Sequence, residues 1–178
     1  HFYVDIKKTI SIPILFNKII ELLYKNIKRI PNLNQYSIIG VPYAGIPFAS
    51  IISYKLQIPL LLLRKEQKQY GTKKRIEGES SNKNIILIED VMTTGKTIFE
   101  TIDYLNSHDY NIKYIFTIFQ RGPLNYYMFL NRNIEYNCMI RNNISLCEKL
   151  KELVPYHPMY NNLYNISKTK KSNLILAV

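Results

Sequence analysis

The sequence predicts an α/β fold in which a central, mostly parallel sheet is flanked by helices. Apolar runs of strand length alternate with segments whose apolar residues recur at helical spacing. Runs such as Leu60 to Leu63 and Ile85 to Ile88 are continuously apolar, which is typical of parallel strands buried on both faces. Ligands of such sheets bind at the carboxyl ends of the strands.

The predicted elements follow one another along a single domain of 178 residues, with no repeat or linker. Pro31 ends the first helix, and the charged segment 64–83 contains two glycines and is predicted to be a loop. All six glycines are predicted to lie in loops at or just after strand ends. Helices are predicted at 14–30, 46–55, 96–107, 124–131 and 145–153, and strands at 36–41, 60–63, 85–88, 112–119 and 136–140.

Composition narrows the class of protein. The chain is 47% hydrophobic and has no apolar run near the roughly 18 residues that span a bilayer, so we expect a globular protein with no membrane partner. Cys138 and Cys147 suit neither a disulfide framework nor a zinc site, which favours a reducing, cytoplasmic location. Because the chain starts at His1, we expect residues to precede it. The net charge of +11 fits nucleic acid, anionic small substrates or coding bias.

The stretch "IILIEDVMTTGKT", Ile85 to Thr97, predicts a ligand site. An apolar strand leads into Glu89 and Asp90, and these adjacent carboxylates are expected at the strand's carboxyl end, facing the crevice. Repulsion between them favours sharing a cation or a diol. The following turn leads into a helix N-terminus, where free amides, hydroxyls and the helix dipole form a phosphate-binding cup. Diol acceptors beside a phosphate cup describe a ribose 5-phosphate.

Residues 85–97 have two other interpretations, a P-loop and a purely structural strand end. "GKT" at Gly95 to Thr97 matches the end of a P-loop, but the first glycine of that motif would fall at Asp90, so the P-loop fails. The other interpretation is structural: Glu89-Asp90 is a solvated strand end and the threonines cap a helix.

The whole stretch resembles the phosphoribosyl-pyrophosphate (PRPP) binding motif of the type I phosphoribosyltransferases. Within that family the chain is similar to the orotate phosphoribosyltransferases, over most of its length. "GVPYAGIPFA" resembles their pyrophosphate loop, "LLLRKEQKQYGTKKRIEG" their mobile catalytic loop, and "FTIFQRG" the strand with an arginine at its end. "FYVDIKKTIS" resembles the N-terminal "YIDLR" region, which implies a small hood near residues 1–12.

The resemblance implies roles for individual residues. Lys68, Glu89 and Asp90 would be catalytic, with Lys68 stabilising the departing charge and the carboxylates holding the ribose hydroxyls. Orotate would be held by Tyr3, Val4, Thr93 and Arg121. The implied PRPP-binding residues are Arg64, Lys65, Tyr70, Pro42, Tyr43, Ala44, Gly45, Thr93, Thr94, Gly95, Lys96 and Thr97.

Several positions depart from the family pattern. Some members have lysine where Ala44 stands, and many have histidine where Tyr70 stands. Family members usually have Asp before the arginine that corresponds to Arg121, and this chain has Gln120 there. The Gly-Gly pair that often follows that arginine is Gly122-Pro123 here.

The implied reaction is transfer of the phosphoribosyl group of PRPP to orotate, giving orotidine 5′-monophosphate and pyrophosphate in pyrimidine biosynthesis. Mg²⁺ is the implied cofactor, held through substrate oxygens and water rather than by a set of protein ligands, with Asp90 as the one candidate protein ligand. The resemblance also implies a homodimer and an association with orotidine-monophosphate decarboxylase.

Two alternatives stay open at this point. A phosphoribosyltransferase for a purine base would share the PRPP motif but is disfavoured by Arg121 and by the loop beginning at Arg64. An RNA-binding regulator on the same fold fits the net charge of +11, although no RNA-binding motif is present.

Overall fold

The central sheet has six strands, and its order places the candidate motifs side by side. The computed structural model describes residues 3–4, 6–66, 75–121, 126–141 and 175–176. The strands lie in the order β4-β3-β2-β5-β6-β7, and every neighbouring pair is parallel except β3 and β4. Their bounds are β2 Tyr36–Gly40, β3 Leu60–Leu63, β4 Ile76–Glu77, β5 Asn84–Met92, β6 Asn111–Gln120 and β7 Glu135–Arg141. The predicted α/β architecture is confirmed.

Helices cover both faces of this sheet and create two apolar cores. Helices α2 (Pro13–Ile27) and α3 (Gly45–Leu56) pack on one face, where Leu23, Phe48 and Ile86 are fully buried. Helices α4 (Lys96–Asn106) and α5 (Tyr127–Leu130) pack on the other face with alternate residues of the same strands. This double coverage explains why the strands are apolar throughout rather than alternating with polar residues.

Outside the main sheet, two short elements lie near the N-terminus. Strand β1 (Tyr3–Val4) pairs in parallel with β8 (Ile175–Leu176), and helix α1 (Lys7–Ile10) follows β1. Strand β8 was not predicted from the sequence. None of the helices in the described ranges is both long and apolar enough to cross a bilayer.

Three predicted boundaries are wrong. The first helix ends at Ile27 rather than 30, because Ile30 packs into the core from a turn and so continues the apolar spacing. Segment 64–83 is not wholly a loop, since it contains β4, where the Arg64 amide donates to the Arg75 carbonyl. Strand β5 does not end at Ile88 but continues through both carboxylates to Met92. The ladder with β6 runs that far, which apolar pattern alone does not reveal.

The last two predicted helices are only partly within the described residues. The helix predicted at 124–131 is observed as the short α5, Tyr127–Leu130, and residues 122–125 lie outside the described ranges. The helix predicted at 145–153 lies outside them entirely.

Candidate functional site

The carboxyl ends of five neighbouring strands meet along one edge of the sheet. Gly40, the last residue of β2, is paired with Leu62 of β3 on one side and with Ile88 of β5 on the other. Farther along, Met92 of β5 is paired with Gln120 of β6, and Gln120 with Arg141 of β7. The predicted binding segments therefore converge on this carboxyl edge, which is where parallel sheets bind ligands.

The turn after β5 forms the expected phosphate-binding cup. Gly95 has a φ of 83°, a left-handed conformation that favours glycine, and it is the N-cap of α4. Gly95 has no side chain with which to cap the helix, and the first amides of α4 have no acceptor inside it. One of these amides, that of Lys96, donates a 3.4 Å hydrogen bond to Thr94 Oγ1. These amides and the helix dipole are therefore positioned to bind an anion in the turn formed by Thr93, Thr94, Gly95, Lys96 and Thr97.

The two carboxylates differ sharply in exposure. Glu89 is 6% exposed and Asp90 is half-buried, because successive residues of a strand point to opposite faces. One carboxylate oxygen of Glu89 accepts a hydrogen bond of 3.1 Å from the Asp90 amide. Burial, reinforced by the neighbouring Asp90 side chain, raises the pKa of Glu89 to about 9. Glu89 thus holds a proton at neutral pH, and Asp90 presents the more accessible carboxylate.

This arrangement corrects one expectation. The sequence predicted that both carboxylates face the crevice from the end of the strand. In the structure both lie within β5, and Glu89 is buried whereas Asp90 is half-buried.

The loop between β2 and α3 is packed tightly against β5. The Val41 amide donates to the Ile88 carbonyl at 2.9 Å, and the Gly45 amide donates to the Val41 carbonyl at 3.0 Å. A β-carbon on Gly45 would overlap the Ile88 carbonyl, and one on Gly40 would lie 2.6 Å from the Gly45 backbone. These two glycines allow the loop to lie directly beside the residue that precedes Glu89.

The same loop presents polar backbone to the edge. The peptide bond between Pro42 and Tyr43 is cis, the Tyr43 side chain is 70% exposed, and Ala44 is buried. Among the described residues, none accepts a hydrogen bond from the amides of Tyr43 and Ala44. Such amides can bind an anion without any cationic side chain.

The predicted catalytic loop is only partly described. Arg64 directly follows β3, and its Nε lies 2.8 Å from Glu77 Oε1, so the guanidinium is held against β4. Lys65 is exposed. Lys68 and Tyr70 lie outside the described residues, and the roles inferred for them stay predictions.

Arg121 stands at the other end of the edge. Its amide donates to the Met92 carbonyl at 2.9 Å, which fixes its backbone beside the end of β5. The preceding Gln120 is buried, and its Oε1 accepts hydrogen bonds from the Tyr126 hydroxyl at 2.9 Å and the Tyr136 hydroxyl at 3.4 Å. Tyr3 and Val4 form β1, and their side chains lie outside the described part of the chain.

The sequence did not single out Arg141, which ends β7 and is paired with Gln120. The sequence does contain a pattern that indicates it, because Arg141 follows the strand predicted at 136–140 and Arg121 lies just after the strand predicted at 112–119. A second feature was not visible from the sequence. Thr117 lies in register with Glu89 and Cys138, and its side chain is fully buried.

Comparisons with known proteins agree with this geometry. The phosphoribosyl transferase domain family matches residues 8–123. An orotate phosphoribosyltransferase from Methanosphaera stadtmanae is 32% identical over 140 residues, which cover 78% of this chain and 77% of the relative. A uridine 5′-monophosphate synthase from Bos taurus is 36% identical over 104 residues, or 58% of this chain. The match spans only 22% of that synthase, about a fifth of its length.

Solved structures show the same fold. An orotate phosphoribosyltransferase from Aeropyrum pernix superposes with a TM-score of 0.68 at 23% identity, covering 84% of each chain. A UMP synthase from Leishmania donovani also gives a TM-score of 0.68, at 24% identity, over 90% of this chain and 34% of that one. From its matched domain and its relative of similar length, the chain belongs to the phosphoribosyltransferase family, in its orotate phosphoribosyltransferase branch.

Proposed function

We propose that this chain transfers the phosphoribosyl group of PRPP to orotate, giving orotidine 5′-monophosphate and pyrophosphate. The observation that carries the proposal is the uncapped N-terminus of α4 directly beside Asp90, at the carboxyl edge of the sheet. The names of the relatives support orotate as the acceptor. The reaction belongs to the glycosyl-transferring (pentosyltransferase) class.

Each part of the edge has a defined task in this reaction. The cup at Thr93 to Thr97 binds the 5-phosphate, and Asp90 accepts hydrogen bonds from the ribose hydroxyls. Because Glu89 is protonated, its carboxyl group can donate as well as accept a hydrogen bond. The amides of the loop at Pro42 to Gly45 stabilise the departing pyrophosphate. Arg121 pairs with the orotate carboxylate through its guanidinium fork.

No enzyme nucleophile is needed for this step. The C1–oxygen bond to pyrophosphate breaks as the ring nitrogen of orotate bonds to C1, and negative charge develops on the leaving group. Catalysis then depends on alignment of the two substrates and on amides already aimed at that charge.

We also propose Mg²⁺ as the cofactor. The described residues contain no cluster of three or more metal-binding side chains, so a cage built wholly by the protein is not offered there. The half-buried Asp90 beside the candidate pyrophosphate loop suits an ion that keeps most of its water and binds through one carboxylate and substrate phosphates. When bound, Mg²⁺ neutralises charge on the pyrophosphate group.

A direct assay tests the proposed activity. Orotate consumption is followed spectrophotometrically with PRPP and Mg²⁺, and the base is then replaced by uracil, adenine or hypoxanthine. We expect turnover with orotate and little with the other bases. Turnover of adenine or hypoxanthine in preference to orotate would instead establish a purine phosphoribosyltransferase.

The proposal extends to a cytoplasmic homodimer in which Lys68 acts across the subunit interface, and to association with orotidine-monophosphate decarboxylase. The basis is the resemblance of the segment after β3 to the family's catalytic loop. Lys68→Ala subunits mixed with Asp90→Asn subunits test the interface: if Lys68 acts in trans, heterodimers regain one intact site. No recovery after proven subunit exchange would overturn that assignment.

A further inference from the structure

The end of β7 brings a second arginine to the edge that carries Arg121. Arg141 is the last residue of β7, and its partner across the ladder is Gln120, the residue before Arg121. Gln120 is in turn paired with Met92, just before the phosphate cup. Since neighbouring strands lie about 4.8 Å apart, the backbone of Arg141 lies roughly 10 Å from the end of β5.

A hydrogen-bonded aromatic group holds Arg141 in place. Its guanidinium carbon lies 5.6 Å from the centre of the Tyr126 ring. The Tyr126 hydroxyl donates to Gln120 Oε1 at 2.9 Å, and its ring lies 5.8 Å from that of Tyr136. An arginine stacked on an aromatic ring keeps its donors in a fixed plane, which lowers the entropic cost of binding a planar anion.

No carboxylate in the described part of the chain pairs with Arg141. Within the described ranges, Arg141 forms no ion pair. The residue paired with it, Gln120, is uncharged. An exposed arginine that is held in place and lacks a carboxylate partner is suited to bind a carboxylate from a ligand.

We propose that Arg141 determines base specificity by binding the carboxylate of an acidic base together with Arg121, and that Tyr126 positions it. This inference rests on the proposed function, which places the base at this end of the edge. It adds to that function a second cation and a reason for preferring a carboxylated pyrimidine.

The order of the strands decides which anion Arg141 meets. The loop at Pro42 to Gly45 follows β2, and the 5-phosphate cup follows β5. Arg141 ends β7, which is separated from β5 by β6 and from β2 by two strands. The pyrophosphate and the 5-phosphate are therefore bound elsewhere, and the carboxylate of the base is the anion that remains for Arg141.

The test compares two nucleotides that differ only in that carboxylate. Calorimetry measures the affinities of orotidine 5′-monophosphate and uridine 5′-monophosphate for the wild-type protein, Arg141→Ala and Arg141→Lys. We expect wild type to favour orotidine 5′-monophosphate and Arg141→Ala to reduce that preference about 10-fold. Arg141→Lys should fall between them, because lysine keeps the charge but loses the fork.

Arg132→Ala is the matched control. Arg132 also stacks on an aromatic ring, 5.2 Å from the centre of Phe99, and donates to the Met128 carbonyl, but it lies in the turn after α5 rather than at the carboxyl edge. Its substitution should leave the nucleotide preference unchanged.

The positioning role of Tyr126 is tested separately. Tyr126→Leu removes the ring and should lower the preference for orotidine 5′-monophosphate several-fold without changing the affinity for uridine 5′-monophosphate. Tyr126→Phe keeps the ring and should have a smaller effect. A merely structural role would weaken both nucleotides equally, and that result would overturn the positioning.

The results for the wild-type protein test the proposed function, and the results for Arg141→Ala test the role of Arg141. If wild type favours orotidine 5′-monophosphate and Arg141→Ala keeps the full preference, the assignment of Arg141 is overturned while the proposed function stands. If wild type shows no preference, the proposed function fails and this inference fails with it.

Discussion

The carboxyl edge consists of two halves that recognise ligands in different ways. We call the loop after β2, residues 41–45, together with the end of β5 and the turn that follows it, residues 89–97, the phosphoribosyl half. The ends of β6 and β7, residues 120–121 and 141 together with Tyr126, form the base half. In the first half the candidate binding groups are mainly backbone amides, and the packing of small residues fixes their positions. In the second half the candidate binding groups are side chains, and contacts with other side chains fix their positions.

The difference shows how each half can change. Amides in a packed loop keep their geometry only while the small residues remain, so the phosphoribosyl half tolerates little substitution. Side chains at strand ends can be exchanged without disturbing the sheet. We therefore expect amino-acid substitutions to change the specificity for the base more readily than the binding of PRPP.

The largest expected effect follows from Gly45→Ala. The added β-carbon would overlap the Ile88 carbonyl, which belongs to backbone and cannot rotate away. We expect the free energy of unfolding to fall by about 3 kcal/mol, with loss of activity. Urea denaturation and the orotate assay measure the two effects.

Ser50→Ala in the same helix is the control, because the Ser50 hydroxyl donates a hydrogen bond to the Ile46 carbonyl of its own helix. This substitution should change the free energy of unfolding by less than about 0.5 kcal/mol. Equal stability of Gly45→Ala and wild type would show that the loop does not depend on close packing.

Asp90→Asn should weaken PRPP binding while leaving the fold intact. Loss of a charge-assisted hydrogen bond to the ribose costs on the order of 1.5–3 kcal/mol, or roughly 10- to 100-fold in affinity. Calorimetry with PRPP measures the change, and Asp103→Asn on α4 serves as the charge-matched control. An unchanged affinity would remove Asp90 from the phosphoribosyl half.

Arg121→Ala should affect the base half alone. Because Arg121 is exposed, solvent screens the lost pairing, and we expect the KM for orotate to rise about 10-fold. The KM for PRPP should change much less. Equal effects on both substrates would mean that Arg121 supports the edge structurally rather than binding the base.

The smallest expected effect concerns Glu89, the buried carboxyl group of the phosphoribosyl half. The folded protein keeps the Glu89 proton up to a pKa of about 9, whereas the unfolded chain loses it above its ordinary value near 4.5. Between these values a rising pH favours the unfolded chain, so Glu89 makes the protein less stable as the pH increases. Between pH 6 and pH 7 the loss of stability due to Glu89 is about 1 kcal/mol, and Glu89→Gln should abolish that part of the loss.

Urea denaturation at the two pH values checks this. Glu100→Gln is the control, because Glu100 is exposed on α4 and only 3.8 Å from Lys96 in an ion pair on the surface. If the wild type and Glu89→Gln lose stability in parallel, Glu89 is not protonated in the folded state.

The two halves also differ in how far sequence alone could predict them. The cup was predictable because Thr93 to Thr97 form one local motif whose chemistry depends on the backbone of a turn and a helix start. The close approach of Gly45 to Ile88 was not, since those residues are more than 40 positions apart in the chain. Burial of Glu89 was also missed, because a pattern of apolar residues does not show that a strand continues through charged ones.

In the base half, Arg121 was identified by resemblance, but the partners of Gln120 come from Tyr126 and Tyr136 on later elements. Their hydroxyls converge only when α5 and β7 are folded against β6. The order of strands in the sheet, and hence the proximity of Arg141 to Gln120, also had to come from the structure.

The separation of the edge into two halves is tested most directly with orotidine 5′-monophosphate, a single ligand that reaches both. Its affinity is measured by calorimetry for wild type, Asp90→Asn, Arg121→Ala and the double variant. If the halves bind independently, the free-energy losses of the single variants add in the double variant to within about 0.5 kcal/mol. A coupling of about 1 kcal/mol or more would show that the two halves act as one site and would contradict the separation.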